Sequence, residues 1–445
     1  WRFMAEPKSL TQIISEKDFL VLAKVPCEQF FNVLYLFKRR NQEKKDISRK
    51  FYSNLIQESE SLENFMDQYG ARENKKWSFF VECLASIRNL SIAAFFTRHI
   101  LDRYPYYNLR ESSRQENEFK KESVGVLFFL NQSILNLLQE LYADTESNSL
   151  NISIDSDIQI EFSDIESYKR LPRNVAEDEV KDEKERVIEV CDKIKHISKL
   201  MNDSKISRVD DINELKLSVL QKYNENRARL HKNLIHNAQS DFDTYVKNTK
   251  LEAEHQELKV LRGYVSMPLH LLEVSLWLVH FYERHEDEIR PGENRKRISM
   301  IVNKNVLLDK IVNYGFFYSQ YFINEGNNLA DEILKCFSIV VKVELPVPKP
   351  LGFHARPSTL VSIIARKYED LDLFVIVDDK KFNAKSVMSL LQVGGLVADK
   401  GYQTIFFEGD KRVVDDIKLL AKHNYCEKGE IPARLSYLRE YQKSG

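Results

Sequence analysis

The sequence predicts a large, mainly α N-terminal region followed by a small α+β domain. Three observations lead there. Glycine (13) and proline (11) are scarce in a chain of 445 residues, so little interrupts a helix. Apolar residues recur at steps of three and four over most of the first 337 positions. At Ser338 that period gives way to alternation, after which Pro346, Pro348 and Pro350 mark an extended exit that no helix tolerates.

Taken in order, the pattern is helical from Leu10 to Tyr142. Phe80, Cys83, Leu84, Ile87, Leu90 and Ala94 form one stripe. A further helix is expected between Val124 and Leu141, where Asn131, Gln132, Asn136 and Gln139 interrupt the apolar run too often for a membrane segment. Ile152, Ile154, Ile158, Ile160 and Phe162 alternate around Asp155-Ser156-Asp157, predicting a short hairpin that must pack on helices. Residues 177–189 are dense in both charge signs, and Val187, Val190, Ile194, Ile197 and Met201 follow at heptad-like steps. Two heptads are too few for a coiled coil, so a long solvated helix or helical linker is expected there. The helical pattern returns from Val209 to Lys335, with breaks expected at Gly263, Pro291-Gly292 and Gly326. The predicted division is a helical region over 1–149, a β-hairpin and charged helical linker over 150–208, and a helical bundle over 209–337. The α+β domain follows over 338–423, then a helical tail over 424–445, in which Tyr437, Leu438 and Tyr441 share a face expected to pack on the helical region.

Composition excludes several classes. Lys plus Arg (66) balances Asp plus Glu (67), so there is no uniformly basic field and no nucleic-acid partner is expected. Five dispersed cysteines without a CxxC pair signal neither a disulfide framework nor a zinc site, and suit reduced thiols in the cytoplasm. No secretory pattern opens the chain. The apolar stretch from Tyr264 to Tyr282 carries His270, Glu273 and His280, so a buried helix is expected rather than a membrane span. Neither a P-loop nor a GxGxxG motif occurs, and no cofactor is expected. His270, Glu273, Trp277, His280 and Arg284 fall on one helical stripe. A metal site or a phosphorylated histidine there needs partners from another helix, and none is identifiable, so polar contacts between helices are expected and no metal. His231 and His236 are five apart and so do not form a ligand pair.

The chemistry is concentrated in the α+β domain. Gly352-Phe353-His354-Ala355-Arg356-Pro357 follows the first strand, and Leu360, Val361, Ile364, Ala365 and Tyr368 continue as one helical face. Pro357 suits a first helical turn. His354 therefore stands just before a helix start, where unpaired N–H groups and the positive dipole end meet an anion, and Arg356 adds a charge-assisted contact. With an ordinary pKa of about 6.5, imidazole is largely unprotonated near neutral pH and competent as a nucleophile toward phosphorus. Strands follow at Leu373–Val377 and Lys381–Ala384; Ser386 opens a helix expected to end at Gly394-Gly395; a last strand, Thr404–Glu408, precedes a closing helix carrying Val413, Val414, Ile417 and Leu420.

This βαββαβα order, with GFHARP after the first strand and AKSVM opening the second helix, resembles HPr, the phosphocarrier of the phosphoenolpyruvate-dependent sugar phosphotransferase system, over about Ile339–His423. The resemblance implies a four-stranded antiparallel sheet with three helices on one face. It implies that His354 takes a phosphoryl group from the phosphohistidine of enzyme I and passes it to an enzyme IIA-type protein, with Arg356 stabilising the phosphate. By the same resemblance Ser386 matches the serine modified by HPr kinase/phosphorylase, and Phe353, Val387, Met388 and Leu391 belong to the partner interface. A helix N-cap by itself also explains a serine at this position. Two departures stand out: Phe353 where the family often has leucine, and a loop over 394–401 expected to be longer than the family's. The function expected is a cytoplasmic phosphocarrier and regulatory protein, a carrier with a phosphohistidine intermediate rather than a stand-alone enzyme, with an unknown partner for the helical region. The alternative is an interaction protein that uses the HPr domain as a docking platform, controlled through Ser386; an enzyme site among the helices rests on the His270–His280 stripe alone.

Overall fold

The computed structural model describes residues 13–155, 157–158, 183–285, 292–337, 339–368, 371–427 and 430–441. The chain divides into two compact units, Trp1–Ile333 and Leu334–Gly445.

In the first unit α1 (Glu16–Gln42), α2 (Arg49–Gln68), α3 (Ser78–Arg103) and α4 (Ser113–Ser147) come first. They are followed by α5 (Glu183–Asn202), α6 (Ile212–Gln221), α7 (Glu225–Asp241), α8 (Lys250–Glu254) and α9 (Gln256–His285). Then come α10 (Glu293–Ile301), α11 (Lys304–Asp309) and α12 (Phe317–Cys336). Polar side chains close the helix starts: Ser15 on α1, Ser48 on α2, Ser112 in a reciprocal box with Gln115 on α4, and Asn224 on α7. The core is built on α3, which packs on α2, α4 and α9, and on α9, which also takes α7. The stripe from Phe80 to Ala94 is wholly buried.

Three expectations change here. The apolar stripe of α5 is buried and the helix packs on α7, so it is a structural helix rather than a solvated one. The reason is hydrophobic: Val187, Val190, Ile194, Ile197 and Met201 form a face too apolar to leave in water. Gly263 and Gly326 lie inside α9 and α12 instead of ending them. A Cβ on Gly263 would stand 2.7 Å from Leu109 Cδ2 and 2.8 Å from Tyr107 Cβ, so this glycine serves close packing. Of the predicted hairpin, Ser156 and residues 159–182 lie outside the described residues, as does Pro291, and residues 151–155 carry no strand. Among the described residues three stretches, Glu16–Gln42, Ser78–Tyr106 and Ser113–Ser147, are long and apolar enough to cross a membrane; the last contains residues 124–141, so the four amides there do not make that helix too polar, contrary to expectation.

The second unit follows the predicted order: β1 (Val340–Pro346), α13 (Ala355–Lys367), β2 (Leu373–Val377), β3 (Lys380–Asn383), α14 (Val387–Lys400), β4 (Thr404–Asp410) and α15 (Lys411–Lys422). The four strands are antiparallel in the order β1-β4-β2-β3, with Val343 and Val375 flanking Phe407 in register. Alternation sends Leu345, Val375, Ile405 and Phe407 into one core with Leu360, Ile364, Leu390, Val393, Val414 and Ile417 of the helices, while Val340 and Phe406 stay exposed. Helix α14 runs through Gly394-Gly395 to Lys400 and ends on Gly401 at φ +69°, so the residues read as a long loop are helical. The tail also differs from expectation. Tyr425, Cys426, Ile431, Leu435 and Leu438 join the core of this second unit, because the sheet and α15 leave apolar surface there to be covered.

Candidate functional site

The loop after β1 is built turn by turn. Val347 N–H donates to the Gln403 carbonyl at 2.9 Å, the Lys349–Pro350 peptide is cis, and Gly352 N–H donates to the Pro348 carbonyl at 2.9 Å. Gly352 adopts φ +65°, and His354 N–H then donates to its carbonyl at 2.9 Å. His354 is the N-cap of α13, with extended backbone, and Ser358 N–H donates to its carbonyl at 3.2 Å. Its side chain does not cap the helix. His354 thus stands at the positive end of α13, where the N–H groups of Ala355 and Arg356 have no intrahelical acceptor.

Phe353, expected at the partner interface, is 1% exposed and packs against Phe407 and Tyr425 with ring centroids 6.3 and 5.3 Å away. Its aromatic surface is core, and it supports the loop from beneath. The Phe353 carbonyl accepts from Ser358 Oγ at 3.2 Å and faces α14, where a Cβ on Gly394 would come within 2.4 Å of it. Gly394 is thus a contact point between α14 and the His354 loop. A glycine pair inside a helix pattern reads as a terminus when that contact is not visible.

His354 is 33% exposed, and Arg356 is exposed with no ion pair among the described residues. The Nε2 edge of the imidazole is covered from the tail. Glu427 Oε1 lies 2.7 Å from His354 Nε2, off the axis of a hydrogen bond, and both atoms are buried without a hydrogen-bond partner. Three contacts bring this segment to the loop. Asn424 Oδ1 accepts from Lys349 N–H at 2.9 Å, its Nδ2 donates to the Lys349 carbonyl at 2.6 Å, and Tyr425 hydroxyl donates to the Pro346 carbonyl at 3.0 Å. Asn424, Tyr425 and Cys426 all adopt left-handed backbone, φ 48°, 53° and 54°. Burial pushes the Cys426 thiol up, with the positive charge of Arg356 opposing it. Sequence reasoning missed Asn424, Tyr425 and Glu427; they follow no period, and nothing local marks them as neighbours of His354.

Ser386 is the N-cap of α14, its hydroxyl accepting from Ser389 N–H at 3.3 Å. The preceding Lys385 carbonyl accepts from Ser362 Oγ at 2.7 Å and Arg366 Nε at 2.9 Å, so α13 holds the start of α14. On α14 Met388 is 69% exposed, while Val387 and Leu391 are half-buried. Leu351, which the sequence reading passed over, is exposed in the His354 loop.

In the helical unit the His270–Arg284 stripe does not converge on one point. The His270 ring meets His99 at 4.2 Å, Glu273 pairs with Lys232 at 3.2 Å, and His280 Nδ1 is 2.8 Å from Glu225 Oε2. Burial pushes His270 down to about 3 and His99 to about 4, with arginine neighbours adding to both. Burial raises the Glu225 carboxyl, but hydrogen bonds from His280 and Arg229 outweigh it and hold the group below the usual range. Among the described residues no three His, Cys, Asp or Glu side chains are grouped to hold a metal ion. The stripe serves separate contacts to α3 and α7.

Residues 341–411 match the family model described as the PTS HPr component phosphorylation site. The N-terminal region has no family match. No curated protein and no solved structure matches the chain. The match points to a phosphocarrier role in the phosphotransferase system and implies contact with its enzymes, such as enzyme I and IIA.

Proposed function

We propose, from the HPr match over 341–411, that this protein carries a phosphoryl group on His354, taking it from the phosphohistidine of enzyme I and passing it to an enzyme IIA-type protein. The observation that carries the reading is the imidazole at the start of α13, unengaged in capping and inside the matched segment. Unpaired N–H groups and the helix dipole stabilise the added negative charge, and exposed Arg356 supplies a mobile counter-charge. On this reading the protein works in the cytoplasm, and the helical unit relays the phosphorylation state to a partner of its own. Ser386 is a second modification point for an HPr kinase/phosphorylase; phosphate at that helix start is electrostatically favoured.

The test is incubation of the full chain with phosphoenolpyruvate and a cognate enzyme I, followed by intact mass and acid treatment. Wild type gains one acid-labile phosphoryl group, and His354→Ala gains none. An unlabelled, folded wild type beside a labelled HPr control rejects the carrier reading. The docking-platform reading then leads, on the strength of exposed Leu351 in the His354 loop and exposed Met388 on α14.

A further inference from the structure

The match to the HPr family ends at residue 411, yet the carboxylate nearest His354 comes from beyond it. We propose that Glu427 is a positioning residue for phosphoryl transfer: it closes the Nε2 edge of His354, holds the ring by that edge and balances the charge the ring acquires. The inference rests on the phosphocarrier reading and adds to it a residue from the C-terminal extension.

Three observations support it. Nε2 is buried 2.7 Å from Glu427 Oε1, and an incoming phosphoryl anion would meet the carboxylate there, so Nδ1 is the nitrogen left to attack. Glu427 is itself 10% exposed and buried without another hydrogen bond at Oε1, an expensive placement unless a proton faces it. Its approach is built, since Asn424 grips both backbone groups of Lys349 and Tyr425 anchors on Pro346. Three consecutive left-handed residues, each costly for a side chain, turn the segment toward the ring.

The chemistry balances. The P–N bond of the donor phosphohistidine breaks, its electron pair returns to the donor ring, and a P–Nδ1 bond forms on His354. The Nε2–H proton stays in place, so the phosphorylated imidazole carries a formal positive charge. Glu427 accepts from that N–H once the ring turns into line, as catalytic hydrogen bonds often do only in the reacting complex.

The experiment compares the full chain with Glu427→Gln, Glu427→Ala and Glu427→Asp, labelled by phosphoenolpyruvate and a cognate enzyme I. The readouts are the initial rate, the lifetime of the phosphohistidine, and the nitrogen that carries phosphorus by 15N and 31P NMR. Wild type is expected to carry the label on Nδ1. Glu427→Ala is expected to be labelled about tenfold more slowly, the rate equivalent of one charged hydrogen bond, and to lose its label sooner. The near-isosteric Glu427→Gln keeps the packing and loses the charge, so it is expected to fall below wild type, with Glu427→Asp partly restoring the rate. If Glu427→Ala unfolds, Glu427→Gln decides. Wild-type rates in the variants, faster rates, or label on Nε2 would each overturn the proposal while leaving the carrier reading standing. A wild type that takes no label overturns both.

Discussion

Asp416 of α15 is 1% exposed and accepts hydrogen bonds from Tyr368 hydroxyl at 2.9 Å and Tyr437 hydroxyl at 3.2 Å. Arg434 Nε stands 3.1 Å from its other carboxylate oxygen. One buried carboxylate thus ties the end of α13 and the tail to α15. Asp416→Ala removes the acceptor shared by both tyrosine hydroxyls and the charge facing Arg434, and is expected to destabilise the second unit by about 3 kcal/mol. Hydrogen exchange of the α15 amides measures it, and unchanged protection would show the carboxylate to be dispensable. His354 is legible at this scale because everything that makes it reactive is local: the turn before it, the helix after it, the arginine two residues on. Glu427 is not legible, because its only relation to His354 is spatial.

At the scale of elements, α14 is the informative case. Its apolar positions Leu390, Val393 and Val397 mark one face, but Gly394-Gly395 in the middle reads as a stop. The helix continues because Gly394 lies against the Phe353 carbonyl, where any side chain would collide. Gly394→Ala is therefore expected to push α14 off the His354 loop, costing roughly 1–3 kcal/mol by overpacking and slowing phosphorylation of His354. Gly395 has open space around it, so Gly395→Ala is the control, expected to leave phosphorylation unchanged and to raise stability by up to about 1 kcal/mol through helix propensity. Thermal melts together with labelling by enzyme I compare the two. Equal behaviour of the two variants would remove the packing role of Gly394. The same logic explains why α9 passes through Gly263.

At the scale of the molecule, each unit has its own core and its own electrostatic character. The helical unit buries His231 and half-buries His270 and His99, and desolvation holds their pKa values at about 4, 3 and 4. These groups are neutral in the fold but bind protons in the unfolded chain below about 6.5, so between those limits the unfolded state holds more protons. The stability they support is complete above pH 6.5 and is lost as pH falls toward 4, at up to about 1.4 kcal/mol per pH unit for each histidine. The described tryptophans, Trp77 and Trp277, both lie in this unit, so tryptophan fluorescence reports its melting. The melting temperature is expected to drop between pH 7 and pH 5, and to drop less in His270→Gln. A flat profile would mean that water or a neighbouring carboxylate accommodates the protons.

Period and punctuation settle in advance whatever depends on neighbours along the chain. The change of period at Ser338, the βαββαβα order, the cap at Ser386 and the position of His354 before a helix are of this kind, since hydrogen-bond geometry and side-chain alternation act within a few residues. What a glycine touches, whether the stripe of α5 faces water or a partner helix, and where the tail after His423 comes to rest depend on surfaces brought together from distant parts of the chain. Burial of apolar area is non-directional and does not announce its partner in the sequence. That is why Phe353 turns inward, why the His270–His280 stripe divides among three neighbours, and why a carboxylate 73 positions downstream stands against the imidazole of His354.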